Sequence, residues 1–140
     1  MQFRNVLVAF DGSAPAERAI AMADELAGRQ GARMILVTVL EPVAASQFPT
    51  GFEYPSAAEH DAARSQLERQ AGELRAKGRQ VETQVEIGNP AQMLLDLAGR
   101  LEADLIVTGR SGKGAVARVI MGSVTTALLH RTSKPMVVVP

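Results

Sequence analysis

The amino-acid sequence predicts a single-domain α/β protein with a doubly wound, Rossmann-like sheet of five parallel strands and helices on both faces. Five short runs rich in Val, Ile and Leu alternate with segments of helical spacing, which is typical of β-α units. The third run alternates polar and apolar residues, as an edge strand does, whereas the first two are apolar almost throughout and suit the centre of the sheet. With right-handed crossovers, these positions favour the strand order 3-2-1-4-5.

Each predicted element has its own local signals. The five strand runs are, in chain order, NVLVAF, MILVTVL, VETQVEI, DLIVTG and PMVVVP. Four helices fill the remaining segments, and their starts are marked by capping residues, by proline in the first turn or by both. These start signals are Ser13 with Pro15, the capping box of Ser56 and Glu59, Asn89 with Pro90, and Gly122 or Ser123 for the last helix.

Residues 41–55 contain three prolines and three of the five aromatic residues, and we interpret them as a surface loop. Such a loop serves either as a lid or partner-binding segment or as a plain connection. The residues alone leave both interpretations open.

Composition excludes several classes of function. The chain of 140 residues suits one domain over residues 1–140, and its 15 basic and 15 acidic residues argue against a general nucleic-acid binder or a polybasic membrane-surface protein. With no Cys and only two His residues, zinc, iron–sulfur and disulfide sites cannot be assembled, so we expect no metal held by the protein alone. No apolar run approaches the roughly 20 residues that cross a bilayer, and we expect a soluble, cytoplasmic protein without a membrane partner.

The predicted strand order places the loop FDGS, after the first strand, beside the loop TGRSGKG, after the fourth. Ligands of such sheets bind at this switch point, outside the carboxyl ends of the strands. Gly109 and Gly112 let the backbone approach a ligand closely, and the helix beginning at Gly122 and Ser123 offers unpaired N–H groups to phosphate. Positive charge lies nearby, at Arg110, Lys113 and Arg118.

The acidic residue of the first loop has two interpretations. Asp11 could accept hydrogen bonds from ribose hydroxyls at the end of the first strand, or it could merely help to cap the first helix. The glycine-rich stretch is not a P-loop, because Gly114 is followed by Ala115 and Val116 instead of the lysine and hydroxyl residue of that motif.

The spacing G-x2-G-x9-G-S at Gly109, Gly112, Gly122 and Ser123 resembles the ATP-binding signature of the universal stress protein family. The stretches NVLVAFDGS, MILVTVL and SKPMVVVP extend the resemblance from about residue 3 to residue 140. The family also has a branch that lacks the glycine pattern and does not bind ATP. Because this sequence has the pattern, the resemblance implies the nucleotide-binding branch.

The resemblance also implies a role for each matching residue. Asp11 would contact the ribose and adenine, the backbone of Ala9 and Val39 would border the adenine, and Gly109 and Gly112 would wrap the phosphates. The remaining phosphate and ribose contacts would come from Gly122, Ser123 and Val124, with Mg²⁺ or Mn²⁺ bridging the phosphates through few protein ligands. Phe10 is bulkier than the small aliphatic residue expected there, and it either narrows the adenine side or packs in the core.

The implied function is that of an ATP-binding module in stress response and signalling, with at most slow ATP hydrolysis. No catalytic residue is predicted, because His60 falls in the second helix and His130 near the end of the last one, away from the phosphate loops. The alternative is a nucleotide-independent interaction protein that acts through protein partners and whose glycines are structural. Adenylyl-transfer enzymes of related topology carry H-x-G-H or S-G-G-x-D-S motifs after the first strand, and neither is present.

The last strand run, PMVVVP, is wholly apolar although the predicted order makes it an outer strand. An exposed apolar edge invites pairing with another chain, and proteins of the resembled family form homodimers through this strand. We therefore expect a homodimer, unless the protein's own loops cover the edge.

Overall fold

Five strands form the central sheet, and the computed structural model describes them within residues 2–44, 51–110 and 122–140. These strands are β1 (Asn5–Ala9), β2 (Arg33–Leu40), β5 (Gln80–Ile87), β6 (Leu105–Gly109) and β7 (Met136–Val139), while β3 (Val43–Ala44) and β4 (Phe52–Glu53) form a separate pair. The sheet order is β5-β2-β1-β6-β7, and every neighbouring pair is parallel. Counted through the five sheet strands, this is the predicted order 3-2-1-4-5, which is confirmed.

In the described ranges four α-helices connect the strands, and all four begin where the sequence predicts. They are α1 (Ala14–Leu26), α2 (Ala57–Ala76), α3 (Pro90–Arg100) and α4 (Ser123–Arg131). The side-chain oxygens that accept a hydrogen bond from the first turn of α1, α2 and α3 belong to Ser13, Ser56 and Asn89. Each satisfies one of the N–H groups that a helix start leaves without a partner.

Two apolar clusters cover the two faces of the sheet. On one face, Val6 and Val8 of β1 pack with Ile20 of α1 and Leu67 of α2. On the other, Leu7 of β1 and Ile35 of β2 pack in a cluster that includes residues of α3 and α4, namely Leu94, Leu97, Ala98 and Leu128. Side chains of successive strand residues thus alternate between a helix layer above and one below, as a doubly wound sheet requires.

Side chains close the amino ends of the central strands. The Asp104 carboxylate accepts hydrogen bonds from the backbone N–H groups of Arg4 and Asn5, at 2.8 and 3.1 Å. The Arg33 guanidinium donates to the Asn5 side-chain oxygen at 3.2 Å and forms an ion pair with Glu82 at 2.9 Å. This network joins the starts of β1, β2, β5 and β6.

A second ion pair fixes the end of α1. Arg79, just before β5, lies 2.6 Å from the Asp24 carboxylate, and the two side chains are only 19% and 13% exposed. The hydrogen bond from Arg79 to Asp24 raises the pKa of the guanidinium above its ordinary value.

The segment 41–55, which the sequence predicts as a surface loop, contains the two short strands β3 and β4, and these pair antiparallel. Residues 45–50 lie outside the described part, so the choice between a lid and a connection stays open. None of the helices in the described ranges combines the length and apolarity that a bilayer crossing requires.

Candidate functional site

The candidate site lies at the carboxyl edge of the sheet, where the chain leaves β1 and β6. These two strands are direct neighbours, with Val8 of β1 in register with Val107 of β6. The loops that follow them therefore start side by side, although almost a hundred residues separate them in sequence. This arrangement is the switch point at which ligands of doubly wound sheets bind.

The end of β1 is fastened to β2 through Phe10. Its backbone N–H donates to the Val37 carbonyl at 2.8 Å, and its own carbonyl accepts from the buried Thr38 hydroxyl at 2.8 Å. The Phe10 side chain is 4% exposed and packs in the apolar cluster under α1 and α2. Of the two interpretations of its bulk, the structure thus favours packing in the core.

The loop after β1 carries Asp11 on the surface. The Asp11 carboxylate accepts a hydrogen bond from the Ser13 N–H at 2.9 Å, and Gly12 between them has a left-handed φ of 82°. Ser13 in turn caps α1, since its hydroxyl oxygen accepts from the Ala16 N–H at 3.2 Å. The capping residue is therefore Ser13, and Asp11 braces the turn that leads to it.

Gly109 ends β6 in a place where no side chain fits. A Cβ on this residue would lie 2.8 Å from the Pro15 Cβ and 3.1 Å from the Ala16 nitrogen, inside ordinary contact distance. The first turn of α1 thus packs directly on the end of β6. This contact draws the Asp11 loop and the Gly109 loop together, and it gives Gly109 a structural reason to be glycine.

Two hydrogen bonds place the start of α4 beside the same strand end. The Gly122 N–H donates to the Arg110 carbonyl at 2.9 Å, and the buried Thr125 hydroxyl donates to the Gly109 carbonyl at 2.8 Å. Gly122 is the N-cap, and among the described residues no side chain caps α4, whereas α1, α2 and α3 are all capped. The exposed Ser123 and the half-buried Val124 occupy the first two helical positions. The N–H groups of this first turn are therefore donors that a ligand can use.

Arg110 adds a cation with an unsatisfied donor. Its Nε atom is buried and has no hydrogen-bond partner in the part of the chain that the structure describes. Because a buried donor without a partner is costly, an anion at this edge would fit it.

An apolar surface adjoins these polar groups on the α3–α4 side of the sheet. Ala9, Val39 and Val124, from three different elements, are each half-buried and pack on the same apolar cluster. Met93 of α3 packs on this cluster as well, and its Cε would lie 3.1 Å from a Cβ on Gly88. Half-buried apolar groups of this kind suit a flat aromatic base.

Part of the predicted site lies outside the described residues. Gly112, Lys113 and Arg118 fall within residues 111–121, so their placement is not given. The other predicted residues all belong to the carboxyl edge: Ala9, Asp11, Val39, Gly109, Gly122, Ser123 and Val124. In the described ranges, no three His, Asp or Glu side chains come together as a metal site.

Three neighbours of the site were not predicted from the sequence. Thr125 fastens α4 to β6, Met93 extends the apolar surface, and the Gln66 side chain lies against Gly12, with its Oε1 3.1 Å from a Cβ built there. The sequence indicates Thr125 only weakly, because it is a hydroxyl residue on the inner face of the helix that begins at Gly122 and Ser123. For Met93 and Gln66 only the fold brings the residue to this edge.

Comparison with known proteins identifies the family. The model of the universal stress protein family matches residues 2–140. The chain belongs to the universal stress protein family. The resemblance carried by the glycine spacing is thereby confirmed for the family.

Proteins similar to this universal stress protein are found by sequence and by structure. A protein of Staphylococcus haemolyticus named as a universal stress protein is 32% identical over 150 residues, covering 99% of this chain and 86% of its own. The structure of UspA from Lactobacillus plantarum matches with a TM-score of 0.84 at 23% identity, covering 100% of this chain and 99% of its own. The universal stress protein of Archaeoglobus fulgidus, solved in complex with dAMP, has a TM-score of 0.74 at 23% identity and covers 100% of both chains.

Proposed function

We propose that this universal stress protein binds ATP at the carboxyl edge of β1 and β6 and acts as a nucleotide-dependent module in stress response and signalling. The observation that carries the proposal is the start of α4, which has no side-chain cap from the described part of the chain and is fastened beside the end of β6. In each of the other three α-helices that the structure describes, a Ser or Asn side chain accepts a hydrogen bond from an N–H group of the first turn. A phosphate would take the place of that missing cap.

The phosphates would be held mainly by backbone. The N–H groups of Ser123 and Val124 and the Ser123 hydroxyl are donors at the helix start, where the helix dipole also favours negative charge. Arg110 supplies the buried donor that needs an acceptor. Gly109 and Gly112 would wrap the phosphates from the β6 side, as the family signature implies.

The nucleoside would lie towards β1 and β2. The half-buried surface of Ala9 and Val39 offers apolar contact to the adenine, and the exposed Asp11 lies at the end of β1, within reach of ribose hydroxyls. The archaeal protein of similar fold was solved in complex with dAMP, which like ATP carries adenine and a 5′-phosphate. Mg²⁺ or Mn²⁺ would accompany ATP through its phosphates, since these ions bind with few protein ligands in such sites.

Turnover would be slow at most. His130 lies exposed in the last turn of α4, which at 1.5 Å per residue is roughly 10 Å from the helix start, and His60 is in the first turn of α2. Neither histidine is a candidate base for attack on a γ-phosphate, so electrostatic positioning alone would promote hydrolysis. His130 and Arg131 instead place cations at the helix end that favours them.

Calorimetric titration tests the proposal. Mg²⁺-ATP and adenosine are each titrated into the nucleotide-free protein and into Ser123→Ala, Asp11→Ala and Ser65→Ala. Loss of one hydrogen bond should weaken ATP binding by about 1 kcal/mol in Ser123→Ala without affecting adenosine, whereas Asp11→Ala should weaken both ligands. Ser65 is exposed on α2 and is not one of the proposed contacts, so its variant should match the wild type.

The alternative is a nucleotide-independent protein that acts through protein partners. It has one observation in its favour, because the packing of Pro15 on Gly109 requires that glycine with or without a ligand. If the wild type binds neither ligand at millimolar concentration, this alternative replaces the proposal.

We also propose a homodimer formed through β7. In the described part of the chain β7 pairs with β6 only, so its other edge is open to a second copy. Sedimentation should give a mass near twice the 14.9 kDa of one chain, and a monomer at micromolar concentration would end this proposal. The cytoplasmic location stays a prediction of the sequence.

A further inference from the structure

A cavity separate from the carboxyl-edge site lies between α3 and the segment that joins α4 to β7. Its volume is about 300 Å³, and it shares no residue with the proposed nucleotide site. The α3 side is formed largely by Leu95, Ala98 and Gly99, and the opposite side by residues 131–134. This volume is at the lower end of the range for small-molecule sites.

The lining is cationic. It includes Arg131 and Lys134, the hydroxyls of Thr132 and Ser133 and the amide of Gln92, and among the described residues no carboxylate lines it. Among the described residues no ion pair involves Arg131 or Lys134. The cavity therefore has a surplus of positive charge, which a bound anion would offset.

Hydrogen bonds hold the cationic side in place. Arg131 donates to the side-chain oxygen of Gln92, and the Gln92 Nε2 donates to Asp96 at 2.8 Å. The neutral Gln92 amide thus links the Asp96 carboxylate to the Arg131 guanidinium. The Lys134 N–H donates to the Thr132 hydroxyl at 2.9 Å, which fixes the turn after α4. The helix dipole stabilises the positive charge of Arg131, which is the last residue of α4. Lys134 lies beyond the end of this helix.

The α3 side adds apolar surface and open space. Ala98 is 2% exposed, and a Cβ added at Gly99 would meet no atom within 4 Å. A ligand here would find charge and hydroxyl groups on one side and aliphatic surface on the other.

We propose that this cavity binds a small organic anion, a carboxylate or phosphate carried on a short apolar body. Lys134 and Arg131 attract the charged end, and Leu95 with Ala98 contacts the apolar end. The site is spatially separate from the proposed nucleotide site at the carboxyl edge, because the two share no residue.

Site-resolved NMR tests the proposal with three probes: butyrate, inorganic phosphate and the neutral butyramide. Butyrate should produce saturating shifts in the millimolar range at Leu95, Ala98, Gly99 and Ser133, and butyramide should not. Saturation at these residues by phosphate as well would show that the charged end is sufficient. Shifts at Gly122 and Ser123 would report the carboxyl edge separately.

Two variants with matched controls complete the test. Lys134→Gln should weaken butyrate binding about tenfold, the equivalent of one charge-assisted hydrogen bond, whereas Lys77→Gln at the end of α2 should not. Gly99→Met should fill the cavity and abolish binding, whereas Gly72→Met, at an equally open position of α2, should leave it intact. Shifts that never saturate, an equal response to butyramide, or unchanged binding in folded Gly99→Met would each overturn the proposal.

Discussion

The two ends of the central strands are built in different ways. At the amino ends, the side chains of Asn5, Arg33 and Asp104 bond to one another or to backbone groups and close the edge. At the carboxyl ends, glycine backbone makes close contacts between the segments, Gly109 with Pro15 and Gly122 with the Arg110 carbonyl, and the Thr125 hydroxyl adds a hydrogen bond to the Gly109 carbonyl. Polar groups such as Ser123 and Asp11 lie exposed there.

This difference teaches how one sheet divides stability and function between its edges. Polar side chains at the amino edge satisfy backbone N–H groups there. Glycines at the carboxyl edge leave the backbone without side chains at the points where we propose that phosphate binds. Stability should therefore respond to changes at both edges, but nucleotide affinity only to changes at one.

The largest effect is expected at Gly109. Gly109→Ala puts a Cβ 2.8 Å from that of Pro15, so α1 must shift, and the free energy of unfolding should fall by about 1–3 kcal/mol. The matched change Gly72→Ala, in open space on α2, should instead stabilise by up to about 1 kcal/mol. Urea denaturation of both variants measures the difference. Equal stability of the two would show that α1 does not press on β6.

The next effect separates the two edges. Asp104→Ala removes the acceptor of two backbone N–H groups and should cost about 2 kcal/mol of stability, while Asp104→Asn, which keeps one acceptor, should cost less. ATP affinity by calorimetry should be unchanged in both. A clear loss of affinity in the folded variants would mean that the two edges are coupled.

Most of the fold was predictable because its signals are local. The strict alternation of Val81, Glu82 and Thr83 identified an edge strand, and Ser13 and Asn89 marked helix starts that the structure confirms. Alternation and capping depend on neighbours in sequence, and these a sequence displays directly.

The site was predictable in outline but not in its supports. The glycine spacing indicated the carboxyl edge, yet the contact of Gly109 with Pro15 and the bond from Thr125 to Gly109 join residues that only the finished sheet brings together. The contacts of Arg33 and Asp104 also depend on the finished sheet, because in the sequence both residues look like ordinary charged surface residues. Long-range pairing of this kind leaves no periodic pattern.

A smaller effect tests the uncapped helix. Gly122→Asp and Gly122→Asn each supply the side-chain cap that α4 lacks and should stabilise the protein by a few tenths of a kcal/mol. Both should weaken ATP binding by occupying the N–H groups, and the Asp variant should weaken it more, by about tenfold or greater, because its charge repels phosphate. Thermal unfolding and calorimetry measure the two quantities. Unchanged affinity in the Asp variant would place the phosphates elsewhere.

The smallest effect concerns a polar contact that joins α2 to β5. Hydrogen bonds from Thr83 and Arg75 lower the pKa of the Glu68 carboxyl, so its contribution to stability is present above its ordinary pKa and is lost as pH falls through the lowered value. Thr83→Val removes the larger cause and should raise the pKa of Glu68 towards its ordinary value, whereas Thr83→Ser should not. Because the Glu68 side chain is 46% exposed, the stability lost at neutral pH should be only about 0.5 kcal/mol. NMR titration of the Glu68 carboxyl measures the pKa, and ATP affinity should be the same in both variants. If the Val variant alone changed that affinity, side chains away from the carboxyl edge would also control the nucleotide site, and the division between the two edges would fail.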